Sequence, residues 1–301
     1  LIGWMSVEQM INYYADFFAD FRREKADAML KSLNINLKQK VKTLSKGNQE
    51  KWFDKDTNKW YKLDQFGYEA LTETIISKLL KKSNIESDTP FSFARYEMER
   101  LNVHGRDRTG CSSKNFLMDG QSIITLSHLF SRQLGTSLKD KLEKLSSDKK
   151  RIQYLAEATA EYTGLKEFPQ YLTLLFEVDA LFLNDDRHLN NIAVIEKNGK
   201  FQYCPIFDNG AGLLSNVQFS PMDIDPKGLI KDVVARPFNT SFTRQMNTAR
   251  TLYGGQLKMP KLTRAEIIEI LTPMLEYYAQ RDRGIITDRV VECILTRQKF
   301  N

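Results

Sequence analysis

Two polar segments of the chain carry residues that could bind a divalent cation and move a proton. NDDRHLNN occupies residues 184–191, and PIFDNG occupies residues 205–210. Mg²⁺ prefers oxygen ligands and usually takes few of them from the protein, and Asn191 and Asp208 fit that description. Asp186 could accept the proton of an attacking hydroxyl. Cations on phosphates and an oriented nucleophile are the parts that phosphoryl transfer requires.

A short hairpin is expected to bring the two segments together. NIAVIEKNGKFQYCPIF contains two β-prone runs joined by Asn198-Gly199, a strong hairpin signal. With these two residues as the loop, the register places Asn191 opposite Ile206 and Asp208 diagonal to Asn191. Diagonal neighbours lie about 7–8 Å apart at Cα. An amide oxygen and a carboxylate reaching inward from there could hold one hard cation between them.

Three alternatives stay open at this point. An Asp- and Asn-rich loop before a hairpin often serves only turn formation and capping. Pro205 lacks an N–H group and could introduce a bulge that changes the register. Asp185 is a rival of Asp186 as the base, although the five-residue spacing to Asn191 favours Asp186.

The pattern Asp-Arg-His-x-x-Asn, a hairpin and Asp-x-Gly resembles the catalytic core of the protein-kinase-like superfamily. It is most similar to the HipA-type kinases and the phosphoinositide kinases, whose loops are also written Asp…His…Asn. It departs from ordinary eukaryotic protein kinases, which have His-Arg-Asp and Asp-Phe-Gly at these places. The resemblance implies that Asp186 is the catalytic Asp, that Asn191 and Asp208 are metal ligands, and that His188 braces the loop by hydrogen bonds.

The resemblance also implies a Lys and an acid partner in the small lobe. In KWYKLD, alternation places Lys62 on the same strand face as Trp60. Lys62 is either an edge-strand charge or a contact to ATP phosphate. Glu73 on the following helix is its expected partner and Glu69 is the fallback, whereas the alternative for both is an exposed helix face.

Two further segments would complete the nucleotide site. LSKGNQEKWF offers Ser45, Gly47 and backbone N–H groups that could cradle phosphate, although by itself it is typical of a plain turn. SSKNFLM would be the connection between lobes against adenine, with Phe116 or Leu117 near the base.

The surrounding pattern predicts a small sheet-containing lobe followed by a larger helical lobe. The resemblance implies that this α+β outline is a bilobal, protein-kinase-like fold with a small antiparallel-sheet N-lobe and a larger helical C-lobe. We expect an N-terminal helical extension over 1–40, the N-lobe over 41–118 and the C-lobe over 119–301. The elements predicted are a capped helix from Ser6, a hairpin around DKDTN, a helix in GYEALTETIISKLLKKSN, strands in FSFARYEMERL and GCSSKNFLM with NVHGRDRTG between them, helices at 137–146, 148–163 and 169–184, and a helix capped by Thr263 and Glu266.

Composition excludes several classes of protein. The chain has 301 residues, of which 42% are hydrophobic and 27% charged, as expected of a globular protein. No apolar run approaches the roughly 20 residues that a membrane helix needs. Three isolated Cys and three His argue against a disulfide scaffold and a His-rich metal site. The net charge of +6 suits phosphate-rich partners as well as an ordinary basic surface, but no Lys/Arg block with aromatics predicts a nucleic-acid partner.

The function expected is that of a Ser/Thr protein kinase that uses ATP and Mg²⁺ and transfers the γ-phosphoryl group to a protein hydroxyl. Autophosphorylation is expected within 211–243, where Ser215, Ser220 and Thr240 lie. The alternatives are a phosphoinositide or small-molecule kinase and, among non-enzymes, a pseudokinase or nucleic-acid-binding module. The size and the N-terminal helix also resemble the bacterial cell-translocating, proinflammatory Ser/Thr kinases. The sparse cysteines and the absence of a long apolar run favour a soluble cytoplasmic protein, and the closer resemblance, if it holds, implies export into host cells.

Overall fold

The computed structural model describes residues 5–6, 40–41, 50–135 and 137–300. Residues 5–6 (β1) and 40–41 (β2) form a short antiparallel ladder. The predicted helix that follows Ser6 lies outside the described residues. Ser45 and Gly47 of the predicted phosphate-binding turn also lie outside them.

The smaller part of the protein is a four-stranded antiparallel sheet. Its strands have the spatial order β3-β4-β6-β5. The predicted hairpin around DKDTN is confirmed, because β3 and β4 pair across that turn. The strands are β3 (Lys51–Asp54), β4 (Lys59–Leu63), β5 (Tyr96–Val103) and β6 (Arg106–Lys114).

The turn between β5 and β6 is shorter than the polar segment NVHGRDRTG that the sequence predicts between these strands. NVHGRDRTG is not a loop, because the turn contains only His104 and Gly105, with φ angles of 51° and 75°. Two successive residues with positive φ suit the right-handed twist of a tight hairpin. The flanking charged residues belong to strands whose outer face is exposed, and an exposed run of charged residues has the same sequence pattern as a loop.

Helix α1 (Glu69–Leu80) packs between the small sheet and the larger part of the protein. Its apolar residues, among them Leu71, Ile75 and Leu79, are fully buried, as their helical spacing predicts. The helix start is capped by Asp64, whose Oδ1 accepts a hydrogen bond from the Ala70 N–H at 2.6 Å. A single helical turn, α2 (Ile85–Asp88), follows.

The larger part contains helices around a second, three-stranded antiparallel sheet. The helices are α3 (Leu126–Leu134), α4 (Leu138–Glu143), α5 (Asp148–Thr163), α6 (Phe168–Phe182), α7 (Pro226–Asp232), α8 (Phe242–Tyr253), α9 (Arg264–Leu275) and α10 (Gln280–Arg297). The strands are β7 (Ser122–Thr125), β8 (Ala193–Lys197) and β9 (Lys200–Tyr203), in that spatial order.

The predicted helices of this part are confirmed, including the capping box of Thr263 and Glu266 at the start of α9. Strand β7 was not predicted, because four residues directly before a helix give no alternation to read. Almost every residue of α6 is buried, so it is the central helix of the core. Within the described ranges, no helix combines the length and apolarity needed to cross a bilayer.

The loop between α9 and α10, residues 276–279, joins the larger part to the small sheet. The Tyr278 hydroxyl donates to Oδ2 of Asp64 at 2.6 Å, just beyond β4. The Thr109 hydroxyl on β6 donates to the carbonyl oxygen of Tyr277 at 2.8 Å. These contacts hold the sheet and α1 against the C-terminal helices.

Replacing Asp64 with Asn should stabilise the protein above pH 7 and change its stability little near pH 4. Burial raises the pKa of Asp64 to about 7 against the hydrogen bonds from Tyr278 and Ala70 that lower it. A carboxyl whose folded pKa exceeds its unfolded value loses stability as pH rises between the two. The loss is at most about 4 kcal/mol and is complete above pH 7. Urea unfolding at pH 4.5 and 8 measures it.

The control for this prediction is Asp119→Asn, since Asp119 is exposed. The difference in unfolding free energy between Asp64→Asn and the native chain should grow with pH, whereas that of the control should stay constant. A pH-independent difference for Asp64→Asn would contradict the prediction.

Candidate active site

Lys62, Glu73 and Asp208 meet where the small sheet faces the larger part. The Nζ atom of Lys62 on β4 lies 2.5 Å from Oε1 of Glu73 on α1 and 2.6 Å from Oδ1 of Asp208. It also lies 5.1 Å from the ring centroid of Tyr96. The structure thus brings together the three residues that sequence reasoning placed on three separate elements.

The fallback partner of Lys62 has a different contact. The carboxylate of Glu69 accepts hydrogen bonds from the backbone N–H groups of Phe66 at 2.7 Å and Gly67 at 3.1 Å. Glu69 therefore caps the loop before α1, and Glu73, one turn further on and fully buried, is the acid that reaches Lys62.

The charges of this cluster stabilise each other. Burial alone would lower the pKa of Lys62, but the carboxylates of Asp208 and Glu73 raise it well above its usual value. Burial alone would raise the pKa of Asp208, but the ammonium groups of Lys51 and Lys62 lower it well below its usual range. Lys62 is therefore a cation and Asp208 an anion at neutral pH.

Lys51 is a site residue that sequence reasoning missed. Its Nζ atom lies 3.4 Å from both carboxylate oxygens of Asp208. Lys51 is directly opposite Lys62 in the β3–β4 ladder. The signal was present in the sequence, because counting outward from the DKDTN turn pairs these two lysines.

The backbone after Asp208 follows α1 closely. The N–H of Asn209 donates to Oε2 of Glu73 at 2.9 Å. The residue with a left-handed φ in this segment is Asp208, at 60°, and not Gly210. A Cβ atom on Gly210 would lie 3.3 Å from Cγ of Glu73. A side chain at position 210 would therefore press on the side chain of Glu73.

The loop of residues 184–191 places Asp186 beside Asn191. The Nδ2 atom of Asn191 donates to the carbonyl oxygen of Asp186 at 2.9 Å and lies 3.5 Å from its Oδ2. This contact uses the nitrogen of the amide and leaves its oxygen as the side that a cation would take. Asp185, the rival, is partly buried within the same loop.

The His188 side chain does not brace this loop as expected. Its Nδ1 atom has no hydrogen-bond partner among the described residues, and its Nε2 atom lies 3.8 Å from Oδ2 of Asp186. The loop is held by its backbone instead: the N–H of His188 donates to the Asp186 carbonyl, and the N–H of Asn191 donates to the His188 carbonyl, each at 2.8 Å.

Both Asp residues of the loop have raised pKa values. Burial raises the pKa of Asp185 to about 6, and the neighbouring charge of Asp186 adds to this. Partial withdrawal from water raises the pKa of Asp186, which His188 opposes and Asp208 reinforces. A raised pKa makes a carboxylate a better proton acceptor.

The buried residue Arg187 connects the two polar segments. Its guanidinium donates to Asp179 on α6 at 3.0 Å and to the carbonyl oxygens of Asn191 and Phe207 at 3.1 and 2.7 Å. It also donates to Oδ1 of Asn209 at 2.7 Å. The residues on either side of Asp208 are thereby tied to the loop, a role that sequence reasoning did not give to Arg187.

The predicted register of the hairpin is confirmed from Lys197–Lys200 to Val194–Tyr203, but the pairing does not extend to Asn191 and Ile206 as predicted. The Asn-Gly turn is present, but pairing ends at Val194. Ile206 does not lie opposite Asn191, because its N–H and carbonyl groups bond to residues 92–94 at 2.8 Å each. The chain leaves the hairpin next to Pro205, whose missing N–H group cannot continue the ladder. Arg187 therefore replaces the strand pairing as the link between the two segments.

Phe116 and Leu117 lie in the connection between β6 and β7. They pack against a buried cluster drawn from both parts of the protein, namely Ala70, Ala94, Tyr96, Cys111, Ala193, Ile195, Cys204 and Phe207. The ring centroids of Phe116 and Phe207 are 6.3 Å apart. The connection thus borders an apolar zone next to the charged cluster.

The donor set fits a hard cation that is shared with a phosphate ligand. In the part of the chain that the structure describes, no group of three or more His, Cys, Asp and Glu could hold a metal ion. Asn191 and Asp208 would supply only two oxygen ligands to such a cation, so phosphate and water would have to supply the others, as is usual for Mg²⁺.

Comparison with known proteins identifies the fold. No family model and no curated sequence matches the chain. The chain is similar to the crystal structure of the Helicobacter pylori proinflammatory kinase CtkA, with 13% identity, a TM-score of 0.53, and coverage of 85% of this chain and 92% of that one. It is also similar to a chain of the Shewanella oneidensis MR-1 toxin–antitoxin complex of HipA, HipB and operator DNA, with 14% identity, a TM-score of 0.45, and coverage of 90% and 69%.

The likeness to the CtkA structure confirms the fold class predicted from the sequence. The chain has a bilobal, protein-kinase-like α+β fold, with a small antiparallel-sheet lobe and a larger helical lobe.

Proposed function

We propose that the chain is a kinase that transfers the γ-phosphoryl group of ATP to a protein Ser or Thr hydroxyl. The observation that carries this proposal is the bridge that Lys62 makes between Glu73 and Asp208, beside a loop in which Asn191 contacts Asp186. A buried Lys bridging two acids is costly to maintain for structure alone. The kinase-like neighbour supports the proposal at the level of the fold.

Each charged residue of the site would have its own role in phosphoryl transfer. Lys62, held in place by Glu73, would offset the charge of the phosphates. Asp186, about half exposed at its side chain, would orient an incoming hydroxyl and accept its proton. Asn191 and Asp208 would hold Mg²⁺, which when bound neutralises charge that develops on the phosphates.

The nucleotide base would lie against the connection that contains Phe116 and Leu117. The apolar cluster behind these side chains supports this placement. Ser45 and Gly47 remain the proposed phosphate-cradling turn. We likewise propose 41–118 as the N-lobe, 119–301 as the C-lobe and 1–40 as an N-terminal extension.

The test of the proposed function is transfer of label from γ-labelled ATP with Mg²⁺ to separate protein and lipid acceptors. We expect label on a Ser/Thr-containing protein acceptor and none on phosphoinositide vesicles. Label on lipid alone would replace the protein substrate with a lipid one. Absence of transfer, together with nucleic-acid binding that weakens steeply with salt, would identify a binding module instead.

Autophosphorylation within 211–243 should occur at the hydroxyls within residues 240–243 and not at Ser215 or Ser220. Ser215 is 0% exposed and its hydroxyl donates to the Gly210 carbonyl, while Ser220 is 8% exposed. Burial thus removes two of the three acceptors expected from the sequence, whereas Thr240 is only half-buried. Mass spectrometry of the ATP-treated protein checks this. Phosphate on either buried Ser, or none within 211–243, would contradict it.

A further inference from the structure

Asp208 is shared by two lysines that are held very differently. Lys62 is anchored a second time by Glu73, and its ammonium lies 2.6 Å from Oδ1 of Asp208. Lys51 contacts both oxygens of Asp208 at 3.4 Å, and no other ion pair of Lys51 is present within the described ranges. Its strand β3 is the edge of the small sheet. Lys51 is therefore the lysine that can leave Asp208 with the smaller loss of contacts.

A divalent cation and the ammonium of Lys51 compete for the carboxylate of Asp208 because of the local charge. Two ammonium groups face two carboxylates, those of Glu73 and Asp208, so the cluster is neutral as it stands. A divalent cation added to Asp208 would give this partly buried cluster an excess of two positive charges. Such an excess is unfavourable where water screens poorly. A nucleotide phosphate would make cation binding favourable, because it offsets the excess positive charge and accepts hydrogen bonds from the displaced ammonium.

We propose that Lys51 is a positioning residue that makes cation binding depend on the nucleotide. Lys51 forms an ion pair with Asp208 when no nucleotide is bound. When the nucleotide and the cation bind together, Lys51 leaves Asp208 and forms an ion pair with the phosphate instead. This inference rests on the proposed function, since it takes Asp208 as a cation ligand and phosphate as the ligand of the cleft. The coupling is reciprocal, so the cation must strengthen nucleotide binding by the same factor.

The test measures binding of Mn²⁺, used in place of Mg²⁺, by electron paramagnetic resonance of the free ion with and without ADP. The chains compared are the native protein, Lys51→Met and Lys59→Met. Lys59 is the matched control because it lies on the neighbouring strand and pairs with Glu99 at 3.8 Å, away from Asp208. Thermal unfolding of each chain confirms that it is folded.

In the native protein and Lys59→Met, ADP should tighten Mn²⁺ binding by about tenfold or more, within the usual range of coupling between sites. In Lys51→Met, Mn²⁺ should bind without ADP about tenfold more tightly than in the native protein, and the factor by which ADP tightens Mn²⁺ binding should fall accordingly. Lys51→Arg keeps the charge and should retain the coupling.

Native coupling in Lys51→Met would overturn the inference while leaving the proposed function intact. A native protein that binds neither Mn²⁺ nor ADP would overturn the proposed function, and the inference with it. If Lys51→Met fails to fold, Lys51→Gln takes its place with the same expectation, and native coupling in that variant would equally reject the role of Lys51.

Discussion

Replacing Arg187 with Met should lower the free energy of unfolding by about 3–5 kcal/mol, the usual loss when one partner of a buried ion pair is removed. Arg187 is 0% exposed and is the ion-pair partner of the buried Asp179. Burial already raises the pKa of Asp179, against the effect of Arg187. The variant would also leave the carbonyl oxygens of Asn191 and Phe207 without this donor. Urea unfolding at pH 7 measures the loss.

Two further variants distinguish the loss of the buried ion pair from a general effect of removing an Arg. Arg264→Met removes an exposed Arg that pairs with Asp288, and should cost less than about 1 kcal/mol. Adding Asp179→Leu to Arg187→Met removes the unpaired acid and should recover roughly 2 kcal/mol. Equal losses for Arg187→Met and Arg264→Met would contradict the role given to Arg187.

Replacing Lys62 with Met should reduce the rate of phosphoryl transfer by about 10²–10³, the effect of removing one preorganised electrostatic group. Met keeps most of the side-chain volume but removes the ammonium that bridges Glu73 and Asp208. The two acids would then repel each other, and α1 would lose a contact with the segment that carries Asp208. Steady-state transfer to the protein acceptor measures the change.

Lys59→Met is the control for this variant too, because its partially exposed ammonium contacts Glu99 and no member of the site. Its rate should stay within about twofold of the native rate, the small effect expected of a surface pair. A Lys62→Met variant that is folded and as fast as Lys59→Met would show that the Lys62 bridge is structural.

The fold class was predictable because its signals are local. Helical spacing predicted α1, α5 and α6, and the two turns DKDTN and Asn198-Gly199 predicted two hairpins that the structure contains. The pairing of Lys62 with Glu73 was implied by the resemblance to kinases, and alternation on the strand served only to place Lys62 on one face of it. Such helices and hairpins are determined mainly by residues that are close together in the sequence.

What the sequence did not predict depends on contacts between distant segments. Ile206 pairs with residues 92–94, more than a hundred positions earlier in the chain, and no pattern near Pro205 indicates this partner. The contacts of Arg187 likewise require α6 and the residues around Asp208 to meet in space. Burial of Ser215 has the same origin, since the Tyr68 N–H, directly before α1, meets the Ser215 carbonyl only in the folded protein.

ATP turnover by the native chain and by Asp186→Asn, measured with Mg²⁺ and the protein acceptor, tests the central claim most directly. Asn preserves the size and the backbone contacts of Asp186 but cannot accept the proton of the hydroxyl. The account predicts that turnover falls by about 10²–10⁴, the contribution of a positioned general base. Equal rates for the two chains would contradict the assignment of Asp186 and with it the proposed mechanism.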